Sequence, residues 1–176
     1  MTTSGFLVAF FVVAVALRLC SLFISKRNEA QLRAEDAQEF GAGNSRVIAA
    51  LHVTFYAAAL IEGLWRNGSV DTITWLGVAL YAFSMFILAY VIHELGNLWT
   101  VKLLLAPGHT LKQSWLFRTV RHPNYYLNII PELLGVALVM KAWLVLVILF
   151  PSYLFVLFQR IKLEERVMRQ RFPQYQ

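Results

Sequence analysis

The stretch ITWLGVALYAFSMFILAYVIH, Ile73 to His93, runs for 21 residues without an acidic, lysine or arginine side chain. About 20 apolar residues coiled as a helix cross the hydrocarbon layer of a bilayer, a length that the core of a soluble domain does not require. A lipid environment also requires every backbone polar group to be bonded within the segment, which selects the helix. Similar runs lie on both sides: Gly5 to Ser25, interrupted only by Arg18; Val47 to Trp65; Pro123 to Met140; and Trp143 to Phe158. The pattern predicts an all-α polytopic membrane protein with about five transmembrane helices.

Composition agrees. Hydrophobic residues make up 59% of the 176-residue chain and charged residues 15%, with a mean hydropathy of +0.58. A soluble domain is nearer half apolar and a quarter charged. The spans use most of the length, so residues 1–176 are expected to form a single integral membrane domain. The lone Cys20 excludes an internal disulfide and, within an apolar run, reads as a small core or lipid-facing residue. The net charge of +6 does not point to nucleic acid, because the basic residues lie between and after the apolar runs. Met1 to Ser4 carry no basic side chain and Lys26-Arg27 follow the first run, which favours a retained helix over a secretory signal.

Between the spans, residues 26–45 are the most polar stretch and read as a short amphipathic or interfacial helix ended by the glycine turn Gly41 to Asn44. Arg66 to Ser69 and Lys141-Ala142 are expected turns, as is Pro107-Gly108 within the less apolar segment 94–121. Pro151 predicts a kink or an unpaired carbonyl in the last span. With the N-terminus outside, thirteen Lys and Arg fall in cytoplasmic segments and two, Arg66 and Lys141, in outer loops. The positive-inside rule therefore places the C-terminus in the cytoplasm.

The chemistry-bearing residues fall on that same side. Pro123 suits the first turn of a helix, so Arg121 and His122 precede that turn and Tyr125 and Tyr126 lie on it. A helix start offers N–H groups and a positive dipole end to a carboxylate, although an interfacial Arg and Tyr belt would look the same. Asn124, Asn128 and Glu132 share one face. Glu132, an ionisable group in an apolar segment, is either a protonated tie to another helix or part of a substrate pocket. Arg160 with Glu164, and Glu165 with Arg169, are spaced i, i+4, as a solvated helix with ion pairs would also be. His52 reads as an interhelical hydrogen bonder and Glu62 as a partner of Arg66. His93-Glu94 lacks a second His at metalloprotease spacing, so no metal is assigned, and no nucleophile elbow, phosphate loop or dinucleotide fingerprint occurs.

His109-Thr-Leu111, then Arg121-His122-Pro123-Asn124-Tyr125, then Arg160, Glu164-Glu165 and Phe172-Pro-Gln-Tyr175 stand in order at spacings that resemble the isoprenylcysteine carboxyl methyltransferase family. Leu95 to Thr100 is similar to the segment before that motif, so the likeness covers nearly half the chain. It implies S-adenosylmethionine as cofactor in a cytosol-facing C-terminal pocket, and residues 94–176 as the methyltransferase core behind three N-terminal spans in 1–93. By the same resemblance His109, Leu111, His122, Tyr125, Glu164 and Glu165 bind the cofactor, and Arg121 or Arg160 holds the acceptor oxygen. Tyr126, Asn128 and Glu132 would line the substrate pocket. Trp115-Leu116-Phe117 depart from the family's Gly-x-Tyr. The run Asn124 to Gly135 looks closer to a bacterial branch resembling alkylpyrone and alkylresorcinol methyltransferases, which implies the bacterial inner membrane.

The expected function is methylation of a carboxylate, phenol or enol oxygen on a lipophilic acceptor from the bilayer, such as an isoprenylcysteine or an alkylpyrone-like compound. Two other readings are open at this point: an NADPH-dependent membrane oxidoreductase similar to sterol and steroid reductases, and a non-catalytic membrane scaffold. Acceptor identity and oligomeric state are not legible in the residues.

Overall fold

A computed structural model describes residues 2–107 and 115–171. It contains α1 (Thr3–Ala34), β1 (Gln38–Phe40), α2 (Ala42–Arg66), α3 (Thr72–Leu95) with a 3-10 turn (Gly96–Leu98), and β2 (Leu103–Leu105). There follow α4 (Trp115–Thr119), a π-helical turn (Asn124–Ile129), α5 (Ile130–Met140) and α6 (Trp143–Arg171). Among the described residues four helices are long and apolar enough to cross a membrane: α1, α2, α3 with its 3-10 turn, and α6. The expected fourth span is a shorter apolar segment, Asn124–Met140, about 25 Å long at 1.5 Å per residue.

Exposure supports the lipid setting. Val12, Phe23, Val53, Trp65, Phe86, Val147 and Phe155 all stand more than half exposed, which on a water-soluble surface would be an aggregation-prone belt. The core lies between the helices instead. Phe55 and Ala59 of α2, Leu133, Val136 and Ala137 of α5, and Leu157 of α6 meet there with almost no accessible surface.

α5 is the central element, packed on α3 and against α2 and α6. The α3–α5 contact is backbone on backbone: a Cβ on Gly77 would sit 2.7 Å from the Val139 amide nitrogen, and one on Gly135 would sit 2.8 Å from that of Tyr81. Glycine is required at both positions because no side chain fits between the helices.

The ends are locally encoded. Asp71 caps α3 through a capping box with Thr74. Glu62 accepts from the first amides of α6, Leu144 at 2.9 Å and Val145 at 3.0 Å, while also taking a 2.7 Å bond from Arg66. The expected Glu62–Arg66 pair therefore also caps a neighbouring helix. Asn67 and Lys141 adopt left-handed backbone at the two turns, where Lys141 pairs with Asp71 at 2.7 Å.

Residues 26–45 differ from expectation. No separate interfacial helix forms: α1 continues unbroken to Ala34, because Lys26 to Ala34 contain no Gly or Pro and are mostly good helix formers. Gln38–Phe40 then pair antiparallel with Leu103–Leu105, Gln38 opposite Leu105 and Phe40 opposite Leu103. Gly41, at φ +67°, begins α2 beside Leu163 of α6.

This small ladder anchors the charged end of α6, where Val167 packs with Leu103 and Leu105. The extension of α1 fixes the connecting loop. Asn28, buried, donates to the Gly96 carbonyl at 2.9 Å and the Trp99 carbonyl at 2.8 Å. Ser25 accepts from the Val101 amide at 2.9 Å, and Lys102 reaches Glu29 at 2.6 Å.

Candidate active site

The segment after Pro123 widens into a π-helical turn, a geometry common at functional positions. Tyr125 on this turn donates its hydroxyl to Glu164 of α6 at 2.6 Å. The same hydroxyl accepts from Arg160 Nε at 3.3 Å. Arg160 is buried, 3% exposed, and its other nitrogens donate to Ser45 Oγ at 2.9 Å and the Val101 carbonyl at 3.3 Å. One arginine thus ties α2, the connecting loop, the π-helical turn and α6 together.

His122 stacks on Tyr125, ring centroids 5.7 Å apart, between two carboxylates: Nδ1 lies 3.6 Å from Glu164 and Nε2 3.5 Å from Glu165. Burial alone would lower its pKa. The bonds and charges of Glu164, then Glu165, outweigh burial and hold it above the ordinary imidazole value. Nε2 is buried without a well-directed hydrogen bond. The Glu165 contact is therefore mainly electrostatic, and one polar atom is left to satisfy.

Arg160 and Tyr125 form part of the wall of a cavity of about 380 Å³, within the range of small-molecule sites. It runs along α2 from Ser45 to Tyr56, about 16 Å at helical rise. Its sides include Leu19 and Leu22 of α1 and Val53 of α2, which are also exposed. The space therefore faces the lipid zone between α1 and α2. Part-way along it Arg18 pairs with Glu132, which is 0% exposed and also accepts from the Tyr56 hydroxyl at 2.5 Å, and Phe11, Val15 and Ala57 line the cavity beyond this level. His52 lies between Tyr153, 3.2 Å from its hydroxyl, and Glu132, at 3.4 Å.

Among the residues singled out in the sequence, His122, Tyr125, Arg160, Glu164 and Glu165 come together. Arg121 is exposed, and so is Tyr126 at 46%; neither lines the cavity. Asn128 and Glu132 are buried beneath it, Asn128 donating to Asn124 at 2.9 Å. His109, Leu111, Phe172 and Tyr175 lie outside the described residues. No sequence motif marks Arg18, Tyr56, Trp99 or Tyr153 as lining this cavity. The available signal was two isolated opposite charges, Arg18 and Glu132, in separate apolar runs.

Residues 75–170 match the isoprenylcysteine carboxyl methyltransferase (ICMT) family. The chain belongs to this family. An uncharacterized protein of Haemophilus influenzae is 44% identical over 93% of the chain and 95% of its own length. The Bacillus subtilis protein YpbQ, also uncharacterized, is 27% identical over 90% and 94%. No solved structure matches significantly. Membership in the ICMT family, together with the apolar helices, makes the chain an integral membrane methyltransferase, and favours transfer chemistry over the reductase and scaffold readings. The matched span contains α5, nearly all of α6 and most of α3, whereas α1 and α2, which supply most of the cavity wall, lie before it.

Proposed function

We propose that the chain transfers the methyl group of S-adenosylmethionine to an oxygen of a lipophilic acceptor, a carboxylate, phenol or enol, drawn from the bilayer. The observation that carries it is the linked group His122–Glu164–Tyr125–Arg160 at the polar end of a cavity that opens toward lipid. The cofactor supplies an electrophilic methyl group on a cationic sulfonium. Glu164 and Glu165 are both partly exposed, at 25% and 28%. They can attract that cation and accept from hydroxyl or amino groups, and His122 Nε2 offers a further polar contact. By family resemblance His109 and Leu111 would complete the cofactor site.

Arg160, in the cavity wall, is assigned to the acceptor oxygen rather than Arg121, which is exposed. A guanidinium has five N–H groups, and three of those of Arg160 are committed to Tyr125, Ser45 and Val101. The remaining two can hold an anionic oxygen in line, so the protein contributes alignment and charge complementarity. Asn128 and Glu132 support this wall from beneath.

The thirteen-to-two distribution of basic residues supports a cytoplasmic C-terminus in a bacterial inner membrane. Residues 1–176 would work as one domain, with 94–176 as the catalytic core. The test is melting of the purified protein with S-adenosylhomocysteine or NADPH, followed by transfer of labelled methyl from S-adenosylmethionine to a bacterial lipid extract. Stabilisation by S-adenosylhomocysteine alone, weakened in Glu164→Gln, is expected. Stabilisation by neither ligand, with no label transferred, would remove the proposal.

A further inference from the structure

About two turns in from the Arg160 end, Arg18 and His52 interrupt a largely apolar wall that Phe11, Val15 and Ala57 continue beyond them, at a depth where polar groups are costly unless they do something. His52 lies seven residues beyond Ser45 on α2, so it sits about 10 Å deeper than the Arg160 contact. Arg18 of α1 reaches this level and puts Nε and Nη2 on Glu132. Its side chain remains 21% exposed while Glu132 is enclosed behind it. Among the described residues Arg18 Nη1 makes no hydrogen bond, Nη2 meets Glu132 as an ion pair without a directed hydrogen bond, and His52 Nε2 has only the long Glu132 contact. Both residues line the cavity. A purely hydrocarbon occupant would leave these polar atoms unmatched.

We propose that Arg18 and His52, backed by Glu132, Tyr56 and Tyr153, bind a second, non-reacting oxygen on the acceptor headgroup. This inference rests on the methyltransferase reading and deepens it: the acceptor is an amphiphile with at least two oxygens, one at Arg160 and one at Arg18. The paired charge of Glu132 keeps the subsite neutral overall, so it suits a hydroxyl or carbonyl as well as an anion. Arg18, His52 and Tyr56 lie before the matched family span, so acceptor selection is added by the N-terminal helices to a cofactor site built in the C-terminal ones.

The test compares two probes carrying the same pentadecyl chain, an alkylphenol and the alkylbenzenediol that differs by one meta hydroxyl, each with S-adenosylmethionine and protein in lipid–detergent micelles. Wild type should favour the diol in kcat/KM by about 10- to 150-fold, the worth of one hydrogen bond to a charged group, beyond the statistical advantage of its two equivalent hydroxyls. The double substitution Arg18→Met with Glu132→Met removes both charges, so that neither is left unpaired. His52→Phe is the milder change and carries the test if the double variant fails to fold. Each should erase the preference through KM for the diol and leave stabilisation by S-adenosylhomocysteine unchanged. Equal use of the probes by wild type, retention of the preference in the folded variants, or methylation of neither probe despite cofactor binding would overturn the subsite. Loss of S-adenosylhomocysteine binding in wild type would instead overturn the methyltransferase reading beneath it.

Discussion

Replacing Tyr125 by Phe removes one oxygen and leaves the ring that stacks on His122. That oxygen donates to Glu164 at 2.6 Å and accepts from Arg160 at 3.3 Å, so two charged groups lose a partner together. The first bond is short and charge-assisted, of a kind that contributes about 1.5–3 kcal/mol; the second is long and adds little. If Glu164 holds the cofactor and Tyr125 holds Glu164, S-adenosylhomocysteine affinity should fall about 10- to 150-fold. Isothermal titration of purified protein reads this directly, with unfolding in the absence of ligand as the companion measurement. Tyr126→Phe is the internal control. Its ring is exposed, and surface changes of this type stay within about 0.5 kcal/mol. Equal affinities in wild type and both variants would show that the Tyr125–Glu164–Arg160 chain has no part in binding.

Two further outcomes follow from the geometry. Gly77→Ala places a Cβ 2.7 Å from the Val139 nitrogen and should destabilise by about 1–3 kcal/mol in thermal unfolding, whereas Gly43→Ala, with open space around it, should not; equal melting of the two would refute the backbone-contact account. His122, whose pKa is raised by its carboxylate neighbours, contributes stability that is fully present below its unfolded pKa of about 6.5 and is lost as pH rises through the folded value. The melting temperature of wild type should therefore decline over that window more than that of His122→Gln, and superimposable profiles would sink the ion-pair account.

Hydropathy made the helices legible because a bilayer imposes length and composition on each span independently. It could not show that α1 runs on to Ala34, since the polar residues after Ser25 suit either a continuing helix or a new one; the absence of Gly and Pro permits the continuation, and the bonds from Asn28 and Ser25 to the loop hold it. The β1–β2 pairing was invisible for a related reason. Three-residue strands more than 60 residues apart carry no turn signal, and their register is set by packing on α6. In the site, Arg160 and Glu164 shared a face at i, i+4 spacing and both reach Tyr125. Tyr126, expected in the substrate pocket, is exposed instead, because the π-helical turn that separates its surroundings from those of Tyr125 leaves no periodic trace. Glu132 and its partner Arg18 are equally conspicuous as charges in apolar runs, but pairing them needs the third dimension.

Asn28 binds the carbonyls of Gly96 and Trp99, and those bonds span the boundary of the family-matched region. A chimera that transplanted residues 75–170 onto another family member's N-terminal helices would carry the loop but leave behind the amide that shapes it. The unit of exchange is thus α1 together with the 96–105 loop, and an attempt to re-target the acceptor by swapping α1 alone would disturb the Val101 carbonyl that holds Arg160. On the proposed acceptor subsite, acceptor choice and arginine alignment would be mechanically joined, so selectivity would be retuned more safely by a side-chain change at position 52, or at 18 together with 132, than by recombination.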